Sequence, residues 1–327
     1  GEVRRSVQQL STGAISYLMD ITDPEGGEDR VVLRGGADGM ELEADAHLPQ
    51  DMDPEDMPRM LAEGFAVDAE IAFEGGTTNF NVTGEEAAQG SSRSARGGLR
   101  VAMNKDRLLY SGETEALEVS MAGGERPFPV EVAAEDIGFT IDMPVAASGQ
   151  MQDFALAMRL GGVSVSDMIW GIIDPAGKLP RDPATVALDL SGTGKLSRDV
   201  LDPEQMEEVG AGETEPGKLE SLELNDLKLR AAGAELTGAG AFTFDNTDRE
   251  TFEGMPAPEG EVQLELVGGN GLLDKLQEMG MVPEEQANGA RMMMGLFAVP
   301  GEGEDTLKST IEVKESGEIL ANGQRIK

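Results

Sequence analysis

The sequence has 327 residues, with 62 acidic side chains against 26 basic ones and a formal net charge of −36. That balance argues against nucleic acid, whose phosphates are bound through Lys and Arg that displace counterions, and against docking on anionic membranes. The absence of cysteine removes disulfides, thiol catalysis and thiolate metal sites.

The opening GEVRRSVQQL lacks the apolar stretch of a signal peptide, so the chain is expected to be a mature or shortened form. No apolar run reaches the roughly 20 residues that cross a bilayer as a helix. From residue 40 the dominant pattern has period two. In GMELEADAHL, Met40, Leu42, Ala44, Ala46 and Leu48 alternate with Glu41, Glu43, Asp45 and His47. The single histidine thus falls on the polar face of a strand, where no catalytic triad or zinc site is expected. DMDPEDMPRMLA (51–62) begins like a calcium loop with Asp51, Asp53 and Glu55. Asp56 replaces the required glycine and Ala62 the terminal glutamate, so a short capped helix over 54–64 is expected instead. FAVDAEIAF continues the alternation with Phe65, Val67, Ala69, Ile71 and Phe73, whereas EEAAQGSSRSARGG (85–98) reads as a mobile polar loop.

Alternation resumes at Leu117, Val119 and Met121, then at Ile137, Phe139, Ile141 and Met143, and at Phe154, Leu156, Met158 and Leu160. It continues through Val186, Leu188 and Leu190, through Leu236, Phe242 and Phe244, through Val262, Leu264 and Leu266, and through Leu307, Ile311 and Val313. One face of each strand is apolar and the other polar, the signature of an antiparallel arrangement. Gly75-Gly76, Gly123-Gly124, Gly161-Gly162 and Ser316-Gly317 are expected to be hairpin turns. In LESLELNDLKL the apolar parity changes between Leu224 and Leu227, which predicts a bulge at Asn225-Asp226. About a dozen strands exceed the usual sheet of five or six, so a second sheet, a barrel or one long curved sheet is required.

Helices are few. SDMIWGIID (166–174) carries the only tryptophan, and DPEQMEEVG (202–210) has Asp202 as N-cap and Pro203 at the first helical position. SGTGKLS (191–197) lacks the first glycine of a phosphate loop and has Leu196 in place of the metal-binding hydroxyl. DNTDRE (245–250) is a weaker acidic turn still. GLLDKLQEMGMV (271–282) and PEEQANGARMMMGLFA (283–298) predict a helical hairpin. Met292, Met293 and Met294 diverge around a helix and cannot converge on a soft metal. They are expected in a helix buried on most of its circumference, with Met293 beside Ala290, Leu296 and Phe297. The loop GAGETEPGK (210–218) divides an N-terminal sheet region, 1–210, from a C-terminal β-α-α-β unit, 218–327, that continues the same sheet.

The closing segment GNGLLDKLQEMGMVPEEQANGARMMMGLFAVPGEGEDTLKSTIEVKESGEILANGQRI (269–326) resembles the end of domain-of-unknown-function family 2125, found in alphaproteobacteria. PFPVEVAAEDIGFTIDMPV (127–145) and SVSDMIWGIIDPAGKLPRDPATVALDLSG (164–192) are similar to the same family. The resemblance implies a periplasmic or envelope location and an N-terminal signal sequence on the longer protein. It carries no catalytic or ligand residues to this chain. The one-faced strands also resemble the curved sheets of AsmA-like and other lipid-handling envelope proteins, an analogy of fold alone.

The expected fold is mainly β: large curved antiparallel sheets of many strands, with the C-terminal helical hairpin packed on the apolar face. No catalytic motif is present, and no cofactor or metal is expected. The expected function is a non-enzymatic periplasmic protein that binds lipid or another apolar ligand in a sheet groove. Ile169, Trp170, Leu272, Leu276, Met293 and Phe297 are the expected apolar lining. A structural or adaptor protein with a self-filled core is the alternative, and a carboxylate-dependent hydrolase the third reading.

Overall fold

A computed structural model describes residues 3–22, 30–53, 56–84, 87–123, 126–212 and 214–327. Glu55 and Gly124, and the start of the 85–98 segment, lie outside the described residues. In chain order the elements are β1 (Arg4–Thr12), β2 (Ile15–Thr22), β3 (Arg30–Ala37), β4 (Gly39–Leu48), α1 (Met57–Ala62), β5 (Ala66–Thr83), β6 (Ala88–Met103), β7 (Arg107–Gly123) and β8 (Arg126–Pro144). They continue with β9 (Gln152–Val165), α2 (Asp167–Ile173), β10 (Ala184–Leu196), α3 (Pro203–Gly210), β11 (Gly217–Ala231), β12 (Ala234–Asp245), β13 (Ala257–Val267), α4 (Gly269–Glu278) and α5 (Glu284–Phe297). Short strands β14 (Val299–Pro300), β15 (Thr306–Val313), β16 (Ile319–Ala321) and β17 (Gln324–Arg325) close the chain.

Among the described residues all 17 strands belong to one antiparallel sheet. From β5 to β13 each strand pairs with the next in sequence, and β15 follows β13. At the other end β5 is long enough to pair with β4 along its first half and β3 along its second. β1 and β2 then pair with the outer sides of β4 and β3. The 210–218 loop leaves no gap in the sheet, because β10 and β11 are hydrogen-bonded on either side of it.

The central strands break their pairing along one shared line. Between β5 and β6 the ladder passes from Glu74–Arg96 to Gly76–Ser94, and between β6 and β7 from Arg96–Glu115 to Arg93–Glu118. It passes from Glu115–Asp136 to Leu117–Ala134 between β7 and β8, and from Asp136–Gly161 to Ala133–Ser164 between β8 and β9. On this line Gly75, Ala116 and Gly162 have φ of 60°, 49° and 61°. A left-handed residue turns a strand over, so the apolar set changes from odd to even positions in β5, from Phe73 to Phe80, without leaving its face. A side chain at Gly76 would strike the Phe73 ring at 2.9 Å, which places both on one side.

This line corrects two sequence expectations. Gly75-Gly76 and Gly161-Gly162 are not hairpin turns but lie inside β5 and β9; their glycines supply the left-handed backbone. Ser316-Gly317 does form the turn after β15. The expected polar loop is also corrected, since 88–98 belong to β6. Small residues are needed there because aromatic rings lie across them: a Cβ on Gly90 would sit 2.5 Å from the Phe80 ring, and one on Gly97 2.4 Å from that of Phe73. The Asn225 bulge is present, with the register shifting between Asp189 and Leu190 and the Asn225 amide donating to Asp189 Oδ1 and Ser191 Oγ, both at 2.9 Å. The caps also agree. Asp202 accepts from the Glu204 and Gln205 N–H groups, and Asp56 from the Arg59 N–H.

The helical hairpin lies on the apolar face, but only at its C-terminal end. Ser309, on that face in β15, donates its hydroxyl to the Phe297 carbonyl at the end of α5 at 2.6 Å, and a Cβ on Gly269 would meet the Leu266 side chain. Replacing Gly75 by Ala should destabilise the chain by about 1–2 kcal/mol, because the left-handed backbone disfavours a Cβ and Asp38 Oδ2 would lie 2.1 Å from it. Ala116→Gly should act in the opposite direction, by up to about 1 kcal/mol. Urea midpoints at constant slope measure both, and a neutral Gly75→Ala would contradict the line of reversals.

Candidate functional site

The central strands align their apolar residues into rows that cross the sheet. One row runs through directly paired neighbours from Leu10 to Leu42, Ile71, Leu99, Gly112, Phe139, Met158, Leu188 and Leu227. The adjacent row contains Val101, Tyr110, Ile141, Leu156, Leu190 and Leu224. Continued through Gly238 and Leu264 to Ser309, the first row crosses about 50 Å of sheet at about 4.8 Å per strand.

This face is not covered. Ile71, Leu99, Tyr110, Leu156, Met158 and Leu229 are between 36 and 46% exposed, although they stand at the centre of the sheet. The buried apolar side chains, among them Met60, Leu61, Val145 and Leu179, lie outside these rows or are as small as Ala134 and Ala187. A compact monomer of this mass exposes about 13,000 Å²; this chain exposes 19914 Å². The difference reflects a single-layer sheet whose central apolar rows have no second layer over them among the described residues, with the α4–α5 hairpin lying against β12 and β15.

Beside the exposed rows is an apolar cavity of about 290 Å³, lined by Met143, Pro144, Gln152, Phe154, Leu156, Gly194, Lys195, Leu196, Pro216, Gly217, Lys218 and Leu219. Leu156 belongs both to the cavity wall and to the second row, so the two surfaces are continuous. Gly192, opposite Phe154, leaves room for its ring, which a Cβ would approach to 2.7 Å. At about 290 Å³ and open to solvent, the cavity lies just below the usual ligand-pocket range of about 300–1,000 Å³. Lys195 and Lys218 face each other across β10 and β11.

The structure places the six residues expected from sequence on the helices. Ile169 and Trp170 are half-buried in α2, Leu272 and Leu276 half-buried in α4, and Phe297 half-buried at the end of α5. Met293 is 50% exposed. α4 and α5 form the hairpin, and Lys178 ties the loop after α2 to the end of α4 through Glu278 at 3.0 Å. Arg181 stacks over Trp170 with 5.7 Å to the ring centre. None of the six lines the apolar cavity. The strand rows, whose alternation was visible in the sequence but whose exposure was not, were not among the residues expected to line a site.

The expected burial of the methionine run is corrected. Met292, Met293 and Leu296 are 72, 50 and 58% exposed. In α5 the buried Ala287 and half-buried Ala290, Met294 and Phe297 share one helix face, Arg291 bonds Asp274 of α4, and Met292, Met293 and Leu296 lie away from that face. α2 is similar, with Met168, Ile172 and Ile173 exposed.

The opposite face of the sheet is charged and paired. Arg5 bonds Asp45, Arg100 bonds Asp68, Arg96 bonds Glu115, Arg107 bonds Asp142 and Arg159 bonds Asp136, each across neighbouring strands. His47 is exposed on this face. SGTGKL belongs to β10, not to a loop that opens a helix. Among the described residues the carboxylates that shift all shift downward: Asp174 through hydrogen bonds led by that from the Leu179 N–H, and Asp245 and Asp248 through those led by the Thr247 and Thr251 hydroxyls. Burial raises Asp305, but donors from Gly271 and Asn270 together outweigh it and leave the carboxyl below its usual range. Asp305 thereby caps α4, accepting the Gly271 N–H and Asn270 Nδ2 at 2.8 Å.

A family model described as an uncharacterised protein conserved in bacteria, DUF2125, matches residues 35–317. No curated protein and no solved structure matches the chain.

Met292→Glu should change stability by no more than about 0.5 kcal/mol, whereas a buried methionine there would cost several times that; a urea midpoint decides. Asp305→Ala should cost about 1 kcal/mol through loss of the cap. Because its folded pKa is depressed, the cap's contribution is present above the unfolded pKa and is lost as pH falls through the folded value. The Ala variant should therefore show a shallower loss of stability on acidification; identical acid profiles would contradict the assignment.

Proposed function

We propose that this chain, which belongs to the DUF2125 family of bacterial proteins, is a non-enzymatic binder of lipid or a comparably apolar ligand. The observation that carries this reading is the exposed apolar face at the centre of the sheet, continuous with an apolar cavity through Leu156. Covering about 400 Å² of such surface yields roughly 10 kcal/mol at about 25 cal/mol per Å², before the cost of ordering the ligand. That is enough for one or two acyl chains without any polar anchor. The setting proposed is the periplasm or cell envelope, as the family resemblance implies, and fractionation of a native host tests it.

The adaptor reading with a self-filled core has less support, because the core rows remain open to solvent. The hydrolase reading has less support, since the carboxylate shifts among the described residues are downward.

Native mass spectrometry of the purified chain should find bound lipid, and a fluorescent fatty acid should compete with it. Met158→Asp and Leu156→Asp should each lower the urea midpoint, since both side chains are more than half buried, and should weaken fatty-acid binding at least tenfold, equivalent to about 1.4 kcal/mol, when binding is measured without denaturant on the folded variants. Ala157→Lys, between them on the opposite face, should bind as the native chain does. Equal effects of all three substitutions, or no binding by the native chain, would overturn the proposal.

A further inference from the structure

The two ends of the sheet are unlike. At the C-terminal end the outer strands are the two- and three-residue pieces β14, β16 and β17, short enough to offer little to another chain. At the N-terminal end β1 and β2 form a nearly continuous edge over 4–22. Among the described residues β1 pairs only with β4 and β2 only with β3, so the outer N–H and C=O groups of this edge are unmatched.

Two side chains on this edge stand on the wrong face. Val7 lies opposite Asp45 and Leu18 opposite Arg34, on the charged side of the sheet, and they are 66 and 61% exposed. Leu10, opposite Leu42, and Tyr17 and Met19, opposite Gly35 and Leu33, stand on the apolar side. The face parity therefore changes between Thr12 and Ile15, at the outer end of the line of strand reversals. In a two-fold antiparallel pairing of this edge with itself, opposed residues must share a face. That parity change permits only registers in which an even position of β1 meets an odd position of β2, or an odd position meets an even one.

We propose that 4–22 is a homodimer edge, pairing antiparallel with the same strands of a second copy so that Val7 of one chain faces Leu18 of the other. In this register both misplaced apolar side chains find each other, Leu10 meets Ile15 on the apolar face, and Arg5 meets Asp20. Arg5 already bonds Asp45 at 2.6 Å and Asp20 bonds Arg30 at 2.5 Å, so the contact extends each pair into an alternating row of charges. The nearest face-matched registers fail. Sliding by two residues one way sets Val7 against Ser16 and Arg5 against Leu18; sliding the other way sets Val7 against Asp20 and Arg5 against Thr22. The exposed pairs fix register more than they add affinity. A two-fold axis normal to the sheet keeps both apolar faces on one side, joining them into a single surface. This inference rests on edge geometry and is independent of the lipid reading.

The absence of cysteine makes the register directly measurable. Sedimentation of the full natural chain at micromolar concentration should show a dimer that strengthens with salt, since each copy carries a charge of −36 whose repulsion is screened. Under mild oxidation the Val7→Cys/Leu18→Cys double variant should form a covalent dimer, as should an equimolar mixture of the two single variants, while neither single variant alone should. Val7→Lys should sediment as a monomer with unchanged fatty-acid binding, which separates this proposal from the ligand reading. A native chain that stays monomeric at physiological salt, a single variant that cross-links as well as the double, or a Val7→Lys chain that remains dimeric would overturn the proposal.

Discussion

Strand alternation, held in register across the central sheet, is the constraint on which the rest of the structure depends. A strand sends successive side chains to opposite faces, and here the ladders from β4 to β13 carry the apolar rows on one face, with small residues and threonine filling the same face near the line of reversals. One misaligned strand would carry leucines onto the charged face and carboxylates onto the apolar one. The left-handed residues at Gly75, Ala116 and Gly162 mark where β5, β7 and β9 reverse parity, and β6 and β8 reverse at the same line with φ negative, so that the apolar face survives the reversal. β5, β7 and β9 have between 14 and 18 residues, far longer than the usual five or six.

The same alternation explains how so acidic a chain folds. Its carboxylates are concentrated on one face, where cross-strand arginines meet many of them, and the remainder face water. Pairs of this kind contribute little individually, so the net charge is tolerated through solvation and leaves stability to the apolar rows. Those rows are only half-buried by their own neighbours. The hairpin α4–α5 covers the end at β12 to β15, while the centre from β5 to β11 stays open. Glycines at 90, 97, 112 and 192 lie beneath or beside phenylalanine rings, so the few aromatic residues spread flat over the backbone. A thin, wide apolar surface follows from that combination, in place of a thick core.

Much of this was legible in the sequence. Period-two patterns located most of the long strands, the parity change in LESLELNDLKL located the Asn225 bulge, and Asp202-Pro203 located a helix start. Other features were hidden by the same physics that produces them. β6 looked like a loop because its apolar-face positions are glycine and serine, chosen by the rings of Phe73 and Phe80 on a neighbouring strand. Gly75-Gly76 looked like a turn because a left-handed residue inside a strand and one inside a hairpin have the same local signature. The openness of the apolar face was the least legible part. Alternation says which residues share a face, but exposure depends on whether a second layer covers them, and the helices, where the sequence placed the ligand, cover only one end.

The central claim is that the apolar face between β5 and β11 is a binding surface, and the cysteine-free chain allows a direct measurement. A polarity-sensitive fluorophore attached at Leu156→Cys reports on that face, and one at Ala157→Cys reports on the opposite side of the same strand. Adding phospholipid or fatty acid to delipidated protein should shift the emission at 156 strongly to the blue and leave 157 unchanged. Equal responses at the two positions, or none at 156, would contradict the account.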